Sequence, residues 1–492
     1  MKYNLQKILL FVLVTFLVSF ELCFAAESNI DKGFSETKVV SIPENLLGII
    51  PSLDMKEIAI AIQEDNKQYL IIDGKDGPKN ELIIPTSIIF DPNNNLVVYV
   101  AQDKEKFYVV NNEEIGTYYD GIGEGTLVVS PDSKRIAYAA KKGNKWLVVA
   151  NGKENPEYDL IGGVPVFSPD NTHLVYAAQK DEKWFVVIDG KEGKKYDGIG
   201  SLMFNPETNQ IAYIAMKGKK FLIITDDNES SEYDIFGGMA FSEDGKHFGY
   251  IAGIGETFFC VIDGQKSQEY DTIAQNSLIF SPDGERSSFI AVKDDVLNVI
   301  VDNKPGPKLD GIGSIPVFSP DSKHISYSAM IEEKQVIIVD DEIHQGYDGF
   351  GGNGVIFSPD SMRTAFAVKK GNKWMAVIDG KEGTEYEQLG EITFSYDSKT
   401  VAYIAKEDNK FSIISGNLDK VKYDGILNEP LFTKDSKHMA FIAGQGDFCF
   451  MVVDGKEGLK YDTIVSKLFL SEDGFGVIAV RDNILYKSKW KP

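Results

Sequence analysis

Four of the five histidines fall at one recurring position, three residues after an acidic residue: His173, His247, His324 and His438. Arg135, Arg286 and Arg363 take that position elsewhere. A metal cage needs several ligands converging within a few ångström, and residues at least 74 positions apart in equivalent turns are spread out instead. The expectation is a polar turn and no metal site. A carboxylate series stands mostly after tyrosine: Asp120, Asp159, Asp197, Asp234, Asp271, Asp310, Asp348, Asp424 and Asp462, with Glu387 completing it. On one face these would make an acidic crown able to draw a cation or a basic partner. The competing reading is that each Asp caps its own Gly-rich turn. The recurring Ser-Pro-Asp supplies a preset φ and Asx hydrogen bonds. Its serine is no nucleophile, and no Gly-x-Ser-x-Gly elbow occurs in the chain.

These residues are positioned by a repeat. The Ser-Pro-Asp acid recurs at Asp54, Asn93, Asp132, Asp170, Glu207, Asp244, Asp283, Asp321, Asp360, Asp397, Asp435 and Asp473. Those twelve units span 419 residues at spacings of 37 to 39, which leaves no room for an inserted catalytic domain. In one unit, Trp184-Phe185-Val186-Val187-Ile188 is a strand covered on both faces. Asp189-Gly190 is a tight hairpin turn with positive φ, and Lys194 to Asp197 reads as a polar edge strand. Gly198-Ile199-Gly200-Ser201 then links to Leu202-Met203-Phe204 and Ile211-Ala212-Tyr213-Ile214-Ala215. Four short antiparallel strands in about 38 residues are the signature of propeller blades, which bury their faces only against neighbours. The link must cross roughly 14 Å, within reach of about five extended residues.

The fold class expected is therefore all-β, a propeller of about twelve four-stranded blades. An offset of 190 to 191 pairs Trp184 with Trp374 and Tyr250 with Phe441, the trace of a block duplication. Two six-bladed rings, units 46–274 and 275–492 with a divide between Asp271 and Ser277, are the first choice. A single twelve-bladed ring is the alternative. The twelfth unit runs out after Ile484-Leu485-Tyr486 without an outer strand, and Glu36 to Val40, in the segment 26–45, is an idle strand that would complete it. Aromatic residues open the third strand at Phe107, Trp146, Trp184, Phe221, Phe258, Trp374, Phe411 and Phe448. Packing between blades is the favoured role for them over ligand stacking. Cys260 and Cys449, each flanked by phenylalanines, read as small buried hydrophobes, not a disulfide framework.

The FSPDSKRIAYAA pattern, recurring at Phe167, Phe280, Phe318 and Phe357 and followed by an apolar strand and an Asp-Gly turn, resembles the WD-like (PD40-type) repeats of the TolB family. The resemblance covers roughly residues 46 to 492 and lacks the N-terminal α/β domain of TolB itself. It implies an extracytoplasmic, non-enzymatic propeller that contacts other proteins.

Composition bounds the rest. The 492 residues carry a formal net charge of -23, which opposes binding to a nucleic-acid backbone or an anionic lipid surface. Lys2 and Lys7 precede an apolar run from Ile8 to Phe20, and Ala25-Ala26 offers a cleavage site. Residues 1–25 thus read as a secretion signal, the run being too short for a comfortable span. Cys23 lacks the small residues before it that a lipidation site would show. The expected function is an exported protein-interaction scaffold with protein partners, no cofactor and no enzymatic activity. A small-ligand, glycan or cation binder is the alternative, and a propeller lyase or hydrolase a more distant one.

Overall fold

The computed structural model describes residues 33–52, 58–72, 74–91, 96–340, 342–344, 346–416, 421–471 and 474–492. Residues 1–25, expected to be a secretion signal, and Cys23 among them lie outside the described residues. The described chain is all β, with one 3-10 turn at Pro85–Ser87. Twelve antiparallel sheets form, in a ring. In chain order the blades begin at Leu46, Leu82, Gly121, Leu160, Gly198, Ile235, Thr272, Gly311, Gly349, Gln388, Gly425 and Thr463. In the tenth, three strands are described, and its fourth-strand position, 417–420, lies outside the described residues.

Blade 5 shows how the sequence builds a unit. Its strands are Gly198–Phe204, Ile211–Lys217, Lys220–Thr225 and Asn228–Glu229. The second is buried from Ile211 to Ala215: Ile211, Tyr213 and Ala215 pack on blade 4, and the sheet's other face meets blade 6 through Ile223 of the third strand. That explains the unbroken apolar run in place of a polar face. The hairpins are two-residue turns with positive φ at both positions, as at Asp189 (φ 49) and Gly190 (φ 80), matching the right-handed twist of the strands.

Two local expectations change. Gly198-Ile199-Gly200 is not a crossing link but the head of the first strand, paired with Met216, Ala215 and Ile214 before a bulge. No link is needed. Tyr196 still exchanges backbone hydrogen bonds with Trp184 of blade 4 (2.9 and 2.8 Å), while the next residue, Asp197, donates to the Met216 carbonyl of blade 5 (2.8 Å). Neighbouring blades are staggered, so the first strand of one lies against the third strand of the one before, and the assumed 14 Å crossing does not arise. The edge strand itself is shorter and earlier than expected, Lys191–Glu192, with Tyr196 as an isolated bridge.

The apolar core decides the ring. It divides into twelve clusters, and each spans one seam between consecutive blades. Ile251 and Cys260 of blade 6 pack with Ile273, Leu278 and Phe289 of blade 7, across the supposed divide. Ile478 and Leu485 of blade 12 pack with Ile58, Ile60 and Tyr69 of blade 1. Two six-bladed rings would instead join blade 6 to blade 1 and blade 12 to blade 7, so that first choice is overturned in favour of one twelve-bladed ring. Closure is by the N-terminal strand: Phe34–Ser41 pairs antiparallel with Ile484–Trp490, from Phe34 opposite Trp490 to Ser41 opposite Ile484. Ile42 continues it, donating to the Asn483 carbonyl at 2.8 Å.

Candidate functional site

One face of the ring carries the carboxylate series beside the hairpins between second and third strands. Each Asp stands at the head of a first strand, and the side chains of Asp120, Asp159, Asp197, Asp234 and Asp424 serve two blades. Asp197 receives the Lys183 ammonium of blade 4 on Oδ1 (2.5 Å) and the Gly218 N–H of the blade 5 hairpin on Oδ2 (2.6 Å). Asp120 does the same with Lys106 (2.5 Å) and Gly143 (2.7 Å). Asp159 takes Lys145 (2.5 Å) and Asp181 (2.9 Å), and Asp234 takes Lys220 (2.5 Å) and Gly255 (3.0 Å). Asp424 pairs with Lys410 and accepts from Gly446 at 2.7 Å. The capped turn is therefore not the adjacent Gly-rich segment but a hairpin about 22 residues further on, and the carboxylate also ties that hairpin to the preceding blade.

The lysine hydrogen bond is the main reason that Asp120, Asp159, Asp197 and Asp234 hold their protons less tightly than an ordinary aspartate, and the backbone donor adds to it. In Asp424 the backbone N–H of Gly446 leads and Lys410 follows. At three positions the lysine is absent by sequence. The residue fourteen before Asp271 is Thr257, before Asp310 Val296 and before Asp462 Phe448. Among the described residues these three keep the hairpin donor alone, Asp294 N–H (2.7 Å), Glu332 N–H (2.6 Å) and Asp482 N–H (2.9 Å) respectively. Asp348 accepts from Gly371 at 2.6 Å. Glu387 starts its strand by donating to the Lys406 carbonyl at 3.0 Å.

The opposite face carries the Ser-Pro-Asp turns and the Asp-Gly hairpins. In eight of the described turns the hydroxyl donates to the acid, as from Ser168 to Asp170 (2.6 Å) and Ser319 to Asp321 (2.7 Å). The serine is thereby a structural donor, held away from nucleophilic use. The histidine position faces the Asp of the next hairpin: His173 with Asp189 (2.7 Å), His247 with Asp263 (2.6 Å), His324 with Asp340 (2.7 Å) and His438 with Asp454 (2.6 Å). Arg286 and Arg363 reach Asp302 and Asp379 at 2.9 Å in the same way. The same side chains lie on an aromatic ring of the following blade, Arg135 on Phe167 and Arg363 on Phe394, at 4.8 and 5.4 Å. This position is a joint between blades as well as a polar turn. Among the described residues no three His, Cys, Asp or Glu side chains gather as metal ligands.

The aromatic series divides. Phe107 and Phe258 pack into the clusters between blades. Trp184 and Trp374 are half-buried, not buried. Each lies across its own sheet onto a first-strand glycine, with a Cβ built on Gly162 or Gly351 only 2.6 or 2.9 Å from the indole. Phe448 is out of register with the series: it stands opposite Gln445, where Lys145 stands opposite Lys142, and Cys449 fills the aromatic position. Phe448 is consequently exposed, and it replaces the lysine that Asp462 would have met. The tyrosines before the aspartates, unremarked beside them, form the most regular contact between blades. Tyr119, Tyr158 and Tyr196 stack edge-on against Tyr138, Tyr176 and Tyr213 of the next blade at 6.2 to 6.5 Å.

No known protein family matches this chain, and no curated protein matches it by sequence. Among solved structures it is similar to the crystal structure of the eukaryotic initiation factor, at 13% identity, covering 74% of this chain and 97% of that one with a TM-score of 0.34. The Cps50 (Swd1) β-propeller domain of Myceliophteria thermophila matches at 11% identity over 60% and 97% of the two chains, TM-score 0.23. KlHsv2 with loop 6CD replaced by a Gly-Ser linker matches at 12% over 61% and 97%, TM-score 0.25. Likeness at this level says nothing of function.

Proposed function

We propose that this ring, TolB-like in its repeats, is an exported, non-enzymatic scaffold that binds other proteins. The observation that carries the reading is where the repeat breaks. Its chemically capable groups recur from blade to blade and hold blades together, whereas a binding surface has to be particular to one place. Met362 is 84% exposed at a turn position occupied by lysine in Lys134, Lys246, Lys323, Lys399 and Lys437. Tyr396, 51% exposed, stands on the next turn where Pro131, Pro169, Pro282, Pro320 and Pro359 stand elsewhere. Arg363 joins the two turns, donating to the Ser398 and Lys399 carbonyls at 3.1 and 2.9 Å. A methionine and a tyrosine exposed on adjoining turns of a polar rim suit a protein contact, since such side chains carry binding energy when covered.

Export rests on the basic and apolar leader of residues 1–25. The test is affinity capture with cross-linking from the envelope extract of the source cells, using the natural chain and the double variant Met362→Lys, Tyr396→Pro that restores the repeat. A partner retained by the first and lost by the second, with melting unchanged, supports the reading. An identical captured set from both contradicts it.

A further inference from the structure

Blades are stapled at both faces, and among the described seams two have lost both staples, that between blades 6 and 7 and that between blades 11 and 12, where Gly474 and Phe448 take the two positions. On the Ser-Pro-Asp face, the acid's N–H is received by a side chain of the next turn. Asp132 gives to Asn171 (2.9 Å), Asp283 to Ser322 (3.0 Å), Asp321 to Ser361 (2.9 Å), Asp360 to Ser398 (2.9 Å) and Asp397 to Ser436 (2.8 Å). Between blades 6 and 7 that acceptor position is Gly284, which has no side chain to offer Asp244. On the other face the lysine that would meet Asp271 is Thr257. What remains across this seam includes its apolar cluster, the Tyr270–Phe289 contact at 5.6 Å, a bond from the Asn276 N–H to the Gly237 carbonyl at 2.7 Å and one from the Lys293 ammonium to Gln268 Oε1 at 2.9 Å.

A cleft of about 370 Å³ opens at this seam on the Ser-Pro-Asp face, and His247 of blade 6 and Phe280 of blade 7 both line it. The His247 ring lies nearly parallel to Phe280, 6.4 Å between centroids and 24° between planes. Asp263 fixes it from behind through Nδ1, while the other Asp263 oxygen accepts the Phe248 N–H at 3.0 Å. Arginine makes the equivalent contact at seams that also carry a staple, Arg286 on Phe318 at 5.3 Å and Arg363 on Phe394 at 5.4 Å. There the cation is permanent; here it titrates.

We propose that the seam between blades 6 and 7 is a pH-responsive latch, in which protonated His247, braced by Asp263, grips the Phe280 ring and its deprotonation loosens this seam selectively. The charged groups that face His247 are Asp244, Lys246, Asp263 and Lys266 of blade 6 and Glu285, Arg286 and Asp302 of blade 7. The Asp263 hydrogen bond raises the histidine above its ordinary value of 6.5, against the desolvation that lowers it, with Asp263, Glu285 and Asp244 adding charge attraction. A raised value in the fold means that the grip is complete below the unfolded value and is lost as pH rises through the folded one.

Cys260 reports on the seam, being 2% exposed within its cluster. Alkylation of the full chain, read peptide by peptide by mass spectrometry, separates it from Cys449. Comparing the natural chain with His247→Arg at the same pH cancels the chemistry of the thiol. The rate ratio at Cys260 is expected near one at about pH 5.5 and at least about threefold at about pH 8, with Cys449 unmoved. His247→Gln, the residue type that Gln210 supplies at this position of blade 5, gives a second reading independent of whether the arginine variant folds. It should label faster than the natural chain at the lower pH and equally at the higher. A ratio constant with pH in both comparisons, or a Cys449 response equal to that of Cys260, would overturn the latch.

Discussion

Glu36 and Arg481 are 445 residues apart in the chain and form an ion pair where its two ends meet. The other Glu36 oxygen accepts the Tyr461 hydroxyl at 2.8 Å, and the Arg481 guanidinium lies over the rings of Tyr461 and Tyr486 at 5.3 and 4.8 Å. The closing strand is thus held by charge as well as by its backbone ladder. Both side chains are about one quarter exposed, so the pair is screened less than a surface pair. Glu36→Ala should cost about 1 to 3 kcal/mol, as loss of a hydrogen-bonded, partly buried charge partner does. Calorimetry checks it, and a melting temperature unchanged at low salt would separate this pair from the closure. Deleting residues 27–45 should go further, exposing the edge of Ile484–Trp490 and causing association visible by light scattering.

Asp197 separates its two bonds by substitution. Asp197→Asn keeps an acceptor for the Gly218 N–H and gives up the Lys183 charge, whereas Asp197→Ala gives up both. Thermal melting should fall clearly for alanine and by less than half as much for asparagine, with the asparagine loss vanishing in high salt. Equal losses would place the whole effect in the ion pair.

Acid should weaken the ring by a route that the same carboxylates define. Asp120, Asp159, Asp197, Asp234 and Asp424 are all more acidic in the fold than the ordinary 3.8. A depressed folded value means stability that is present above the unfolded value and lost as pH falls through the folded one. Melting should therefore hold down to about pH 4 and decline below it. Asp435, lowered to about 2 first by the Thr433 hydroxyl and then by the Lys437 N–H, keeps its share to lower pH than an ordinary aspartate, and Asp170, Asp244 and Asp321, lowered further, to lower pH still. A pH series of melting curves tests this, and a decline already complete at about pH 4.5 would contradict it.

Trp184 and Gly162 should be coupled. Gly162→Ala places a methyl 2.6 Å from the indole and forces it to move; Trp184→Ala removes both the contact and the conflict. A double-mutant cycle is expected to show a coupling of about 0.5 to 3 kcal/mol, the alanine at 162 costing much less once the indole is gone. Additive losses would mean that the indole rides free of the first strand.

The architecture was legible wherever local chemistry repeats. Asp189-Gly190 can hardly be anything but a turn with positive φ, and Glu36 to Val40 had no partner except the strandless end of the twelfth unit. The failures share one cause, contacts set by how blades stack. The step from Tyr196 to Asp197 depends on a stagger that no single unit encodes, and the donors to Asp197 lie fourteen residues before it and twenty-one after it. Phe448 was misplaced by one position because its aromatic type outweighed its spacing. The choice of one ring over two turned on which blade meets blade 1, a contact between residues such as Ile60 and Ile478 that periodicity leaves open.

Direct imaging of the purified full chain, by class averaging of single particles in the electron microscope, addresses the single ring that every seam assignment depends on. A closed ring gives one annulus with twelve radial densities, unbroken between blades 6 and 7 and between blades 12 and 1. Particles with two lobes of six densities each would contradict it.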